Sequence, residues 1–346
     1  MVVVYNSDER FAGVFAVSVL SLFENNQNVD DIIVYLIENG ISNESKKRFN
    51  AIAEQYGRKI LTVPLLDLKK IIGVDLSIPK KYNLANYGRL FIASQLPNDI
   101  DKVIYADCDT MFEKSLLELW NTDISEYYIG MADDGFSTGY RKILGIPRDG
   151  IYYNSGIMLV NLKMWRETNV EEMFVEYIRQ QGGYVPIIDQ GVLNATLDGK
   201  ILHLPLRFNA YSILYAFDYA EILRVRKPPY FYSEQEVEAA RNAPVMVHFT
   251  NNFYMPIRPW VKGCVHPYAQ KYLEYRDKTP WKNDPLWNDD RPKIKKLYTT
   301  YCHKVPKPMA IYTSRIIHVY LTPLMHRFNK WKHCMKQKIK CNSLLK

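Results

Sequence analysis

The sequence predicts an α/β fold with a mixed, mainly parallel sheet flanked by helices and followed by a basic helical extension. Three observations carry this expectation. Short apolar runs alternate with stretches of helical periodicity, as in sheets covered on both faces. Of 346 residues, 47% are hydrophobic and 24% charged, which gives enough apolar surface for one large or two ordinary domains and excludes disorder throughout. Gly and Pro usage, 16 and 18 residues, is ordinary and no fixed repeat period occurs, so collagen, solenoid and propeller architectures are excluded.

The elements follow in order. Val2 to Tyr5 is a β-branched run, Asn6-Ser7-Asp8 a polar turn, and Phe11 to Phe23 has helical spacing. Ile32 to Ile37, Ser42 to Tyr56 and Lys59 to Val63 repeat strand, helix, strand. Asp101 to Ala106 is a strand that ends in Asp107 and Asp109. Tyr152 to Asn161 reads as a turn feeding a buried strand, Lys163 to Gln181 as a helix, and Asp189-Gln190 as the opening of another apolar segment. Val245 to Phe249 is a last short strand carrying His248, and beyond about Pro267 the pattern loosens around Trp281, Pro285, Trp287 and Pro292. These features divide the chain into a main domain, 1–265, and an extension, 266–346.

In open sheets of this type ligands sit beyond the carboxyl ends of the strands, so the polar residues that follow each apolar run are where chemistry is sought. Asp107 and Asp109 are two apart, which on extended chain points both carboxylates to one face. Like charges so placed repel unless a cation or basic neighbour joins them. A D-x-D sequence by itself also describes many solvated loops. Its position directly after an apolar strand, with His248 at the end of another, supplies an Asp, Asp, His donor set that suits Mn²⁺ better than Ca²⁺.

Taken in order, Tyr105-Ala106-Asp107-Cys108-Asp109, Tyr153 to Asn161, Asp189 to Asn194 and Val247-His248-Phe249 resemble glycosyltransferase family 8, the group that includes glycogenin and bacterial lipopolysaccharide galactosyl- and glucosyltransferases. The likeness extends to Val3 to Asp8, Ser21 to Asn26 and Tyr87 to Leu90, and covers most of residues 1–265. It implies a GT-A (Rossmann-like nucleotide-diphospho-sugar transferase) fold, a UDP-galactose or UDP-glucose donor, Mn²⁺ with Mg²⁺ as the alternative, and transfer with retention of configuration. By position it implies Asp107, Asp109 and His248 as metal ligands. Asp8 matches a contact to the base and Phe11 an aromatic that stacks on it, with Asn6, Ser7 and Cys108 beside them on the donor side. Arg89, Asp134, Asn154, Asp189 and Gln190 match positions that hold the donor sugar, Gln190 lying under the anomeric carbon. Residues near Phe208, Asn209 and Tyr211 are candidates for the acceptor side. The chain departs from the family pattern in two places. The loop after His248 is four residues longer than in many relatives and places Arg258 where a lysine binds diphosphate, and Arg10 stands where a small polar residue is common.

Two other readings compete. A haloacid dehalogenase-type phosphatase also has a strand ending in D-x-D but needs a threonine four residues after the first aspartate, and position 111 is methionine. A non-catalytic sugar-binding membrane scaffold would keep the fold and lose turnover.

Charge is distributed unevenly. No Asp or Glu follows Asp290, whereas Arg291 to Lys346 carries 14 Lys and Arg. An acidic body with a basic, aromatic tail predicts a catalytic domain attached to an anionic surface. Tyr312, Ile316, Val319, Tyr320, Leu324, Phe328 and Trp331 fall at spacings of three and four, along one side of a helix. The apolar run from Met309 to Met325 is too short and too charged to span a bilayer, and Pro323 predicts a kink. The alternatives for this stripe are lipid headgroups or packing on the body. As an anchor it would be separable from soluble-acceptor activity. Nucleic acid is not expected as a partner, because no recognition signature accompanies the charge. Five cysteines, an odd number without a C-x-x-C pair, fit a reducing compartment. The expected location is cytoplasmic, peripheral on the inner face of the cell membrane.

Overall fold

A computed structural model describes residues 1–78 and 83–344, with side chains to residue 337. Ten strands occur among them: β1 (Val2–Asp8), β2 (Ile33–Asn39), β3 (Lys59–Pro64), β4 (Lys102–Ala106), β5 (Thr110–Phe112), β6 (Ile129–Asp133), β7 (Tyr153–Asn161), β8 (Ile201–His203), β9 (Ala210–Tyr211) and β10 (Met246–His248). Seven form the central sheet in the order β3-β2-β1-β4-β7-β6-β8. β3, β2, β1 and β4 pair in parallel, β7 is antiparallel to β4 and β6, and β8 is parallel to β6. The sheet is thus mixed and mainly parallel. β10, which carries His248, lies outside it in a small sheet with β5 and β9.

Helices cover both faces because the strands are apolar on both. On one face Val3, Tyr5, Val34 and Leu36 pack with Phe15 and Val19 of the helix Ala12–Glu24. On the other, Val4, Ile37 and Tyr105 pack with Tyr87, Trp165 and Phe174. The helix Ala12–Glu24 is buried almost along its length, so its serines need partners. Ser18 Oγ lies 3.1 Å from Tyr5 OH and 2.9 Å from Thr110 Oγ1, and Ser21 Oγ accepts from the Phe112 amide at 3.0 Å. Asn25 and Asn26 bond to the Phe112 carbonyl and the Leu116 amide. The Ser21 to Asn26 motif therefore fastens β5 and the turn that follows it to the helix.

Two expectations are corrected. Lys163 to Gln181 is two helices, Leu162–Glu167 and Val170–Gln180, because Asn169 takes a left-handed conformation (φ 53°) that Asn tolerates better than most residues. The chain is irregular from Trp281 to Pro292, as expected, but before that Ala269–Asp277 is a helix, and Tyr272, Tyr275 and Trp281 are buried in the same apolar cluster as β1. Trp281 stacks on Phe49 with ring centroids 5.2 Å apart. Packing is thus continuous across residue 265 as far as this tryptophan. Cys108, Cys264, Cys302 and Cys334 are free thiols, and Cys341 lies outside the described side chains.

The tail forms the helices Lys293–Lys304 and Lys307–Arg315, then a wider turn over Ile316–Leu321 that leads into Thr322–Leu344. The Thr322 amide bonds to the Ile317 carbonyl, five residues back. This wide turn immediately precedes Pro323, whose missing amide and ring bulk disfavour a regular helical turn there. No helix among the described residues is long and apolar enough to cross a membrane.

If Trp281 belongs to the main core, Trp281→Ala should destabilise the protein by about 3–5 kcal/mol in urea unfolding. A loss below about 1 kcal/mol would show that this segment is not part of the cooperative unit.

Candidate active site

The carboxyl ends of β1 and β4 and the end of β10 meet at one edge of the molecule. β4 delivers Asp107, the following turn delivers Asp109, and the pairing of β10 with β5 sets His248 opposite Thr110. Thr110 Oγ1 donates to the Asp107 carbonyl at 2.7 Å, and the Phe249 amide to the Asp109 carbonyl at 2.9 Å. One ligand atom from each of Asp107, Asp109 and His248 lies within 4.8 Å of the others. His248 Nε2 is 3.3 Å from Asp109 Oδ1 and 4.0 Å from Asp107 Oδ2. Its ring sits against β7 only because residue 156 is glycine: a Cβ there would fall 2.1 Å from His248 Cε1.

A chain of directed hydrogen bonds fixes that ring. Asn154 Nδ2 donates to Asp134 Oδ2 at 3.1 Å, which leaves Asn154 Oδ1 to accept from Asn209 Nδ2 at 2.8 Å. Asn209 Oδ1, 3.0 Å from His248 Nδ1, then accepts its proton. The polarity of the chain assigns the lone pair to Nε2, the nitrogen that faces the two aspartates. Asn209 is fully buried, as are Phe208 and Tyr211. None of the three presents surface to an acceptor, and Asn209 positions His248 instead.

Arg89, on the short helix Leu84–Phe91, is buried between two carboxylates. Nη2 donates to Asp107 Oδ1 at 2.6 Å, Nη1 reaches the Ser155 carbonyl at 3.0 Å, and Nε lies 3.0 Å from Asp189 Oδ2. Tyr105 OH adds a 2.9 Å bond to Asp107 Oδ1. Burial pushes the Asp189 carboxyl up to about 6, against the opposing charge of Arg89. At Asp109 burial acts in the same direction, but Arg258 and His248 outweigh it and hold the carboxyl below the usual range. Arg258 Nη1 is 3.1 Å from Asp109 Oδ2, so its guanidinium reaches the cluster despite the longer loop. Gln190, partly exposed, donates from Nε2 to Asp134 Oδ2 at 2.8 Å and accepts at Oε1 from the Ser155 amide at 3.2 Å.

The end of β1 adjoins this cluster. Cys108 Sγ donates to the Asn6 carbonyl at 3.3 Å, and Asn6 Nδ2 bonds to the Ala85 carbonyl. Ser7 Oγ donates to the Asp8 carbonyl at 3.2 Å. Asp8 accepts from Asn83 Nδ2 and from the Phe11 amide, both at 3.2 Å. The Phe11 ring meets Trp287 edge-on, with centroids 5.4 Å apart. Sequence reading missed Arg226, gave Asn209 an acceptor-side role in place of its bond to His248, and quoted Tyr105 in a motif without a role. Ser155 and Gly156 lay inside a quoted motif without a role.

Three side chains that could hold a metal ion, beside the hydrogen-bonded polar cluster of Asp134, Asn154 and Gln190 and at the carboxyl edge of a mainly parallel sheet, are the arrangement expected of a nucleotide-sugar transferase type of site. The chain belongs to glycosyl transferase family 8, whose family model matches residues 2–263, and it is a glycosyltransferase. It is 25% identical over 284 residues to General stress protein A of Bacillus subtilis (81% of this chain, 94% of the relative). It is 24% identical over 293 residues to lipopolysaccharide 1,3-galactosyltransferase of Salmonella typhimurium (83% and 80%). The fold is similar to that of galactosyltransferase LgtC, solved with donor and acceptor sugar analogs, with TM-score 0.68 at 24% identity over 86% of this chain and 99% of that one. Family membership overturns the phosphatase reading.

Behind Asp134, the buried Asp133 accepts from the Gly135 amide at Oδ1, 2.7 Å, while Oδ2 has no hydrogen-bond partner among the described residues. Burial pushes this carboxyl up to about 8. The folded protein therefore keeps a proton that the unfolded chain releases near pH 4, and the group costs stability increasingly from pH 4 to pH 8. Asp133→Asn should raise Tm over wild type by roughly 3 °C at pH 8 and by nothing at pH 4. A pH-independent difference would contradict this.

Proposed function

We propose that this glycosyltransferase moves galactose or glucose from a UDP-sugar to lipopolysaccharide or another cell-surface glycan, with retention of configuration and with Mn²⁺ or Mg²⁺ bound, at the inner face of the cell membrane. The observation that carries the reading is the convergence of Asp107, Asp109 and His248 beside Gln190. The acceptor class is taken from the relatives described as lipopolysaccharide galactosyl- and glucosyltransferases. Asp107, Asp109 and His248 would hold the metal, and the donor set of two carboxylates and one imidazole lone pair fits Mn²⁺. A bound divalent ion supplies Lewis-acid stabilisation of the charge that develops on a departing diphosphate.

The chain's own residues do the rest. Asp8, Asn6, Ser7 and Cys108 shape the base side of the pocket with Phe11, and Arg258 lies on the diphosphate side. Arg89 fixes Asp189, leaving that carboxylate to accept from sugar hydroxyls, and Asn154 and Asp134 orient the Gln190 amide. Gln190 Oε1 is the negative end of a preoriented dipole, suited to a sugar with oxocarbenium character. A neutral amide is a poor nucleophile, which favours front-face displacement over a glycosyl-enzyme intermediate. The bond from anomeric carbon to diphosphate oxygen breaks, the bond to the acceptor oxygen forms on the same face, and the acceptor proton passes to the departing phosphate oxygen.

Asp109→Asn should lower UDP release by roughly a hundredfold or more while circular dichroism stays unchanged, and protein incubated with donor should show no hexosyl adduct by mass spectrometry. A near-normal rate removes Asp109 from the metal site, and an adduct on Asp189, Asp134 or Gln190 overturns the front-face route.

The membrane part of the reading rests on the outer face of the tail. Tyr312, Leu324, Phe328 and Trp331 are all more than half exposed, and Arg327, Lys332 and Lys336 are exposed among them. Aromatic and aliphatic side chains flanked by cations suit an anionic headgroup layer. The double variant Phe328→Ser/Trp331→Ser should bind phosphatidylglycerol vesicles about tenfold more weakly in sedimentation. Unchanged binding would place the contact elsewhere.

A further inference from the structure

We infer that the inner face of the tail helix is part of the donor-sugar pocket's support, with His318 a positioning residue that acts through Arg226 on the loop carrying Asp134. This rests on the roles proposed above for Asp134 and Gln190. The sequence leaves the tail either as an anchor on lipid headgroups or as a helix packed on the body, and the contacts of its inner face bind it to the body.

The helix Lys307–Arg315 packs on the helix Tyr219–Arg226, with Lys307 Nζ 2.6 Å from Glu221 Oε2. The wide turn that follows directs His318 inward. Tyr140 OH donates to the His318 carbonyl at 3.2 Å and so accepts from His318 Nδ1, 3.0 Å away. That leaves a lone pair on Nε2, which accepts from Arg226 Nη1 at 2.6 Å. Burial and the Arg226 charge both depress the imidazole pKa, so the ring stays neutral and able to accept. The tail also approaches the helix Thr138–Leu144 closely: a Cβ on Gly139 would lie 3.2 Å from Pro323 Cγ.

Arg226 transmits this contact. Its guanidinium lies 4.6 Å over the Phe136 ring, Phe136 stacks on Tyr152 with centroids 5.0 Å apart, and the Tyr152 carbonyl accepts from the Asp134 amide at 2.8 Å. At Asp134 burial raises the carboxyl's pKa, and Arg226 is the strongest influence opposing it. His318 thus holds in place both the ring that packs beneath the loop and the charge that keeps Asp134 able to accept from Gln190 and Asn154. A cation released from its acceptor turns toward solvent, where its effect on a buried carboxylate is screened.

The test uses the purified full-length protein with UDP-galactose and UDP-glucose, Mn²⁺ and a UDP-release readout. His318→Ala should lower kcat about tenfold with donor KM within about twofold, the pattern of an interaction that matters beyond donor binding, and UDP affinity by calorimetry should not change. His318→Gln, whose amide oxygen takes the place of Nε2, should recover most of the rate. Arg226→Gln should match His318→Ala, and the double variant should be no slower than either single one, because residues acting through one contact are not additive. If His318→Ala fails to fold, the Gln variant and Arg226→Gln carry the comparison. A wild-type kcat in His318→Ala or in Arg226→Gln, or additive losses in the double variant, overturns this inference alone. A wild-type protein that releases no UDP overturns the function proposed above and this inference with it.

Discussion

Four carboxylates, Asp107, Asp109, Asp134 and Asp189, are gathered where three strands end, and the site depends on how their charge is compensated. Taking a carboxylate out of water is costly unless it is paired or hydrogen-bonded. Arg89 serves Asp107 and Asp189 at once, Arg258 and His248 serve Asp109, and Arg226 offsets the burial of Asp134. Each cationic or imidazole partner comes from a different segment of the chain. The site is therefore assembled only when the sheet, the loop after β10 and the helix Tyr219–Arg226 are all in place. In the proposed function, a divalent ion at Asp107 and Asp109 shares the task that Arg258 performs at Asp109, which leaves that guanidinium available to an incoming diphosphate.

The sheet was largely legible because its central strands are buried on both faces and so read as continuous apolar runs. β1, β2, β4 and β7 coincide with such runs, and the mostly exposed edge strand β3 and the short β10 of the small sheet also match apolar segments of the sequence. β5, β8 and β9 are two or three residues long, too short to establish a period, and they exist through pairing with distant partners. β6 holds a glycine at position 130 that packs on Leu204, a contact no local pattern announces. The break at Asn169 was hidden for a similar reason, since helical spacing continues on either side of it.

In the site, the pair Asp107 and Asp109 was visible from spacing, and His248 from its place at the end of a strand. The side chains that orient them were not. Asn209 lies 39 residues from His248, and Arg226 acts across 92 residues on His318. Such partners are matched by geometry after folding and leave no periodic signal. The tail shows the same limit: its aromatic stripe was read as meeting lipid or packing on the body, and the helix has both a packed and an exposed face. His318, His326 and His333, spaced by eight and seven residues, form the packed one, bonding to Tyr140, Tyr184 and the Gly182 carbonyl, while Leu324, Phe328 and Trp331 stay outside.

The central claim is that Asp107, Asp109 and His248 form one site whose charge is completed by a divalent ion together with a nucleoside diphosphate. Isothermal titration of UDP into the full-length protein, once with Mn²⁺ and once with chelator, tests it most directly. UDP should bind at least about tenfold more tightly with Mn²⁺, the order of coupling expected when two ligands share a site. Equal affinity in the two titrations would contradict the claim.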